Sequence, residues 1–167
     1  IRDSQASYLG IVRAGSDSVV GFEVAGVLTT MEAAEGMRVA PGDTLAQLGT
    51  DRRQARLDAA SATFNRVAAE RAQAEARAER IARLVKDGSA SAQDYDDARY
   101  AAQALLAAEH TAAAQRQSAQ LEMDKSTLRA PYEAVVAERL VQTGAVVAPG
   151  TPVLRLVTAA GREAHIG

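Results

Sequence analysis

Two kinds of hydrophobic spacing alternate along this 167-residue chain, and the boundaries between them are sharp. From about Asp51 to Asp87 there is neither Pro nor Gly, and the same holds from Ser89 to Ala130. In the first of these runs Leu57, Phe64, Ala78 and Val85 recur on a seven-residue spacing, with Val67, Ala74 and Ile81 on the companion positions. Arg71 falls in the same register and interrupts the apolar row. In the second run Tyr95, Ala98, Ala102, Leu105, Ala112, Ala119 and Met123 make a similar stripe. Spacing of this kind predicts helices that pair along a coiled-coil seam.

Between the runs stands Lys86-Asp87-Gly88-Ser89-Ala90-Ser91. Gly88 suits the left-handed residue that ends a helix. Ser91 with Asp94 resembles a capping box, Asp replacing the usual Glu or Gln. So short a link forces the helices to run antiparallel. At 1.5 Å per residue, helices of about 35 residues predict a rod of roughly 50 Å. The charges of Arg71, Glu75 and Glu79 read as a solvated outer face.

Outside the helical runs the spacing shortens to that of strands and turns. The stretch from Val27-Leu28 to Leu48 repeats from Val135-Val136 to Leu156 at a constant offset of 108 positions. Gly36 maps on Gly144, Leu45 on Val153, and Val39-Ala40-Pro41-Gly42 on Val147-Ala148-Pro149-Gly150 without a change. Pro41-Gly42 and Pro149-Gly150 suit type II turns, with Pro second and Gly third. One copy has too little core to fold alone. Two copies packed face to face predict a small pseudo-symmetric β-sandwich, interrupted by the helices.

Composition supports long helices over a compact helical core. Apolar residues make up 47% of the chain, but aromatics only 4%, and Trp is absent. Alanine-rich seams let helices approach closely. The net charge is -2 with both signs interleaved, which argues against a nucleic-acid footprint. With no Cys, disulfides and thiolate metal sites are excluded. No run approaches the roughly 18 apolar residues of a membrane span.

Candidate chemistry is sparse. His110 and His165 lie far apart and read as surface or boundary residues. Asp94, Asp96 and Asp97 fall in a first helical turn, where negative charge complements the macrodipole. Met31, Met37 and Met123 form no soft-metal cluster. No nucleophile set, phosphate loop or zinc spacing appears, so neither catalysis nor a cofactor is expected.

The segments Gly21-Phe22-Glu23-Val24-Ala25-Gly26-Val27-Leu28 and Glu35 to Leu48 resemble the first lipoyl half-motif of the periplasmic adaptor, or membrane fusion protein, family. Leu128-Arg129-Ala130-Pro131-Tyr132-Glu133-Ala134-Val135-Val136 and the second VAPG turn resemble the second half-motif, with Ala134 where the family usually has Gly. The resemblance runs from Tyr8 onward. It implies an α+β fold, with a long antiparallel helical hairpin between the halves of a lipoyl/biotinyl-like β-sandwich. The halves are expected at 8–50 and 126–158, the hairpin at 51–125 with its tip near 86–91, and the start of a β-barrel domain at 159–167.

The spacing R-x3-L-x6-S of Arg80, Leu84 and Ser91 looks like the family's tip motif for docking on a TolC-like outer-membrane channel. Spacing alone fits equally a solvated Arg, a seam Leu and a capping Ser. Arg77 and Arg83 also lie near the tip. The resemblance further implies a ring of six or a similar number of copies and an inner-membrane transporter, of the resistance-nodulation-division type more than the ABC or type I secretion type. It implies periplasmic placement, with an anchor and further domains outside this chain. Lipoyl carriers instead modify a Lys on a β-turn. The two lysines here, Lys86 and Lys125, both lie in the helical insertion.

Overall fold

The computed structural model describes residues 17–158. His165, the 159–167 segment and the part of the expected β-domain before residue 17 lie outside the described residues. The elements run β1 (Asp17–Val20), β2 (Gly26–Met31), β3 (Arg38–Val39), β4 (Thr44–Leu48), α1 (Asp51–Lys86), α2 (Ala92–Lys125), β5 (Thr127–Arg129), β6 (Ala134–Arg139), β7 (Val146–Val147) and β8 (Leu154–Thr158). They divide into two compact units, a β-unit formed by the chain through Thr50 and from Asp124, and a helical unit, Asp51–Met123.

The β-unit holds two four-stranded sheets, ordered β1-β8-β6-β3 and β5-β4-β2-β7. An offset of 108 turns one sheet into the other, exchanging β1 with β5, β8 with β4, β6 with β2 and β3 with β7. The symmetry reaches individual hydrogen bonds. The Gly36 N–H donates to the Val136 carbonyl at 2.7 Å, and the Gly144 N–H to that of Leu28 at 2.7 Å. Likewise the Gly42 N–H donates to Ala130 at 2.8 Å and the Gly150 N–H to Phe22 at 2.9 Å. Each of these turn amides finds its acceptor in the other copy. Neither copy could satisfy its own backbone, which is a buried-polar cost the pairing removes.

Both Ala-Pro-Gly turns close with an N–H three residues on, Asp43 to Ala40 and Thr151 to Ala148, each at 3.1 Å. Their glycines have φ of 87° at Gly42 and 80° at Gly150, a region where a Cβ would be strained. Gly36 and Gly144 share the same sign of φ at 84° and 94°.

The repeat extends further than its identical residues reveal. Val20 pairs with Leu154 across β1 and β8, and Leu128 with Ala46 across β5 and β4. These pairs are equivalent under the same offset, although β1 and β5 share no obvious sequence. The core between the sheets is made by alternate strand residues from both copies, among them Leu28, Leu45, Leu48, Val136, Leu154 and Leu156, each at most 1% exposed. Ala134 occupies the position equivalent to Gly26. It sits at the head of β6, fully buried, and no residue other than glycine has a positive φ among the described residues. A methyl group is therefore accommodated there in regular strand geometry.

Chain entry to the helices follows β4 and return precedes β5, and these two strands pair, Ala46 against Leu128 and Gln47 against Thr127. The helices are thus an insertion between neighbouring strands of one sheet.

Candidate partner-docking site

The helical unit is a hairpin, and its contacts fix the register. Arg53 lies 3.7 Å from Glu122, the Arg116 guanidinium stacks 4.0 Å from the centre of the Phe64 ring, and Arg71 pairs with Glu109. Each step toward the tip on α1 is matched by a step toward the tip on α2, seven residues against seven between the Phe64–Arg116 and Arg71–Glu109 contacts, so the helices are antiparallel. That register sets Val67 opposite Ala112 and Ile81 opposite Ala98. Fully buried positions are few: Val67, Ala98, Ala102, Ala112 and Ala119. All five belong to the stripes predicted from spacing. The seam is apolar but narrow, because alanine buries little surface.

One expectation is corrected here. Arg71 does not lie on a solvated outer face. Its side chain is 26% exposed and that of Glu109 16%, and the pair bridges α1 and α2 across the seam. On α1 itself, Arg71 also donates to Glu75 at 2.7 Å. The Glu75 hydrogen bond, with Glu109 adding, holds the Arg71 guanidinium above its already high ordinary value, so it stays charged. The apparent flaw in the heptad row is an ionic layer with its counter-charge in the same register on the other helix. Arg116 fills a second such position against Phe64. Glu109 and Arg116 each stand seven residues from a stripe member, a spacing visible in the sequence. Their charge hid them, since apolar residues alone define such a search.

At the tip, α1 ends in a Schellman arrangement. Ser89 N–H donates to the Leu84 carbonyl at 2.8 Å and Gly88 N–H to Val85 at 3.1 Å, with Gly88 at φ 76°. The second helix starts from a reciprocal cap. Asp94 N–H donates to Ser91 Oγ at 3.0 Å, and Ser91 N–H donates to Asp94 Oδ2 at 3.0 Å. These bonds from Ser91, the backbone one first, hold the Asp94 carboxyl below the usual aspartate value.

The three tip residues do not form one cluster. Arg80 and Leu84 line a groove of about 730 Å³ on one face of the hairpin, and Ser91 does not line it. Leu84 is 43% exposed, so it is not seam. Arg77 lines the same groove, opposite Asp94 and Asp97, whereas Arg83 does not. Lys86 and Lys125 stand in the last turns of α1 and α2, and Lys125 Nζ lies 3.4 Å from Glu23. His110 is exposed on α2.

Neither a family model nor a curated protein sequence matches the chain. Solved structures do share its fold. A protein described as an efflux transporter from Bacteroides eggerthii superposes with a TM-score of 0.62 at 23% identity, over 87% of this chain and 40% of that one. A MacA–MexA chimera carrying the Pseudomonas aeruginosa MexA α-hairpin domain gives 0.58 at 23%, over 86% and 48%. The membrane fusion protein Spr0693 from Streptococcus pneumoniae gives 0.61 at 21%, over 86% and 62%. This chain spans roughly two fifths to three fifths of the length of those proteins. It has the membrane fusion protein fold.

Proposed function

We propose that the chain is the hairpin-bearing part of a periplasmic adaptor in a tripartite efflux pump. In this reading it links an inner-membrane transporter, of the resistance-nodulation-division type, to a TolC-like outer-membrane channel. It does so as a mechanical connector assembled with copies of itself into a ring of six or a similar number, performs no bond chemistry and carries no cofactor. The protein resides in the periplasm, held to the inner membrane by a segment outside this chain. Its β-unit is a lipoyl/biotinyl-like sandwich split by the hairpin.

The observation that carries this reading is the insertion itself. Two intertwined copies of one half-motif build the β-unit, and the place between β4 and β5 is taken by a 36-residue helix and a 34-residue helix. A swinging-arm carrier needs that connection to be a tight turn holding a lysine. Here Lys86 and Lys125 both sit in helical last turns. The likeness to membrane fusion protein structures supports the same conclusion.

The tip supplies the contact surface. Arg80 offers fixed, planar donors for a partner's carbonyls or carboxylate, and Leu84 offers an exposed apolar knob. Arg80→Asp or Leu84→Asp in the full-length protein is expected to abolish pump-dependent drug resistance while leaving expression and the helical circular-dichroism signal intact. Resistance that persists at normal expression refutes the docking role. Co-purification of the full-length protein with its transporter tests the transporter class, and an ABC-type partner would replace the resistance-nodulation-division assignment.

A further inference from the structure

The hairpin has two faces, and near the tip they differ. On one, the groove between the helices has a volume of about 220 Å³ and is lined by Glu75, which pairs with Arg71, by Arg99, which lies 3.9 Å from Asp96, and by Glu79. On the other, the groove reaches about 730 Å³ and runs from Glu70 to Leu84. At 1.5 Å per residue that is about 21 Å, or roughly four helical turns. Its floor includes Ile81 and Ala98, small or apolar. Arg77 and Arg80 rise on the α1 side, Asp94 and Asp97 on the α2 side. Among the described residues neither Arg77 nor Arg80 is ion-paired, although these carboxylates line the same groove. Toward the tip the groove therefore holds two separated rows of opposite charge over an apolar floor, while at its far end Glu70 pairs with Arg66 on α1 itself.

The geometry points to this face, and not the apex of the turn, as the docking surface, with Arg77 and Asp97 as specificity residues beside Arg80 and Leu84. The occupant is a helix of the outer-membrane channel with small or apolar side chains along one stripe, carboxylates on the flank that meets α1 and cations on the flank that meets α2. This rests on the docking reading proposed above. About four turns of length match a helix, and a helix laid lengthwise would meet both rows at once, giving Arg77 and Arg80 carboxylate partners and adding cations to Asp94 and Asp97, which already accept from Ser91 and Gln93. Arg77 and Leu84 stand seven residues apart and so fall on one line of α1. Ser91 does not line this groove and is placed here as a positioning residue, its hydroxyl capping α2 by accepting from Asp94 N–H.

The test uses full-length protein in its own cells, with a photo-crosslinking residue at Gln73 in the groove, at Glu79 on the opposite face, or at Ser89 at the turn. Products are identified by mass spectrometry. The expected result is a Gln73 crosslink to the outer-membrane channel and little from Glu79. Exchanging the two charges, with Arg77→Asp and Asp97→Arg together, leaves net charge unchanged. It should still lower the Gln73 crosslink roughly tenfold or more, because at both exchanged positions like charges then face each other. Ser91→Asn, which keeps a capping oxygen, should leave the crosslink unchanged. Equal yields from Gln73 and Glu79, a crosslink from Ser89 alone, or indifference to the charge exchange overturns the groove assignment while docking stands. A Gln73 crosslink to a second copy of this chain overturns the choice of occupant. No channel crosslink from any of the three positions overturns docking itself.

Discussion

The β-unit and the hairpin solve the same problem by opposite means. Sixteen buried apolar residues fill the β-unit core, including six leucines, while the hairpin buries one valine and four alanines over 70 helical residues. In the β-unit, burial of large side chains supplies the stability, and cross-copy hydrogen bonds supply the specificity. Along the hairpin there is too little buried surface for that. Its order depends on helix propensity, on the ends, and on charged layers placed in the seam. A helical pair held this thinly tolerates polar residues where a sandwich core would not, and it pays for a mispaired charge less than a core pays for a lost leucine.

The largest expected effect tests the first half of that contrast. Leu48→Ala and Leu156→Ala change equivalent positions of the two copies, each 1% exposed or less. Each should destabilise the β-unit by about 2–5 kcal/mol. The two losses should be similar, because the symmetry gives the residues equivalent surroundings. Denaturant titration of the single variants checks it. A large loss at one position with almost none at the other would mean that only one copy forms the core.

Next in size is the ionic layer. Glu109→Leu removes the cross-helix partner of Arg71 and leaves its charge at the seam with Glu75 alone. The pair lies between an exposed ion pair and a buried one, so the expected result is a lowered melting temperature, by less than either leucine truncation lowers it. Adding Arg71→Leu should recover most of it, since a leucine pair suits the surrounding stripe. Thermal melts of the two variants compare directly. If Glu109→Leu alone melts like the parent, the layer contributes nothing and the seam is held by its alanines.

These same residues show where sequence reasoning succeeds and where it stops. The repeat was legible because Val-Ala-Pro-Gly recurs unchanged, with Pro and Gly where a type II turn favours them in both copies. The helical runs were legible from seven-residue spacing, and the turn from Gly88. What escaped was anything whose meaning depends on a partner far away in the chain. Arg71 looked misplaced until Glu109 stood opposite it. Strands β1 and β5 were invisible as equivalents, because pairing with β8 and β4 makes them alike, not their side chains. The tip motif named Arg80, but the choice among Arg77, Arg80 and Arg83 depends on which side of the seam each faces. The register of α2 decides that, and spacing on α1 alone does not.

A smaller effect is expected at the turn joining the helices. Gly88 has a φ of 76°, and no atom stands within 4 Å of where a Cβ would be added. Gly88→Ala therefore costs only the backbone strain, about 1 kcal/mol. The measured value isolates the contribution of the turn from that of the seam. A loss well above that figure would show that the turn, and not the paired helices, holds the hairpin together.

The smallest effect separates the ends of the hairpin from its length. Asp94 is held below the usual aspartate value because Ser91 hydrogen-bonds its charged form, through the backbone N–H first and the side chain second. A carboxyl lowered in the folded state stabilises that state above its unfolded value, near pH 4. The contribution fades as pH falls below that point and is gone once the folded group is protonated. The start of α2 should therefore fray at low pH before the seam opens. NMR titration of the Asp94 carboxyl and the Ser91 amide checks it, with both expected to move together below about pH 4. Ser91→Ala removes only the side-chain bond, so it should raise the Asp94 midpoint part of the way toward the ordinary value. Fraying at Ser91 together with the seam at Val67 and Ala112, in one step, would mean that the cap and the seam are a single cooperative element.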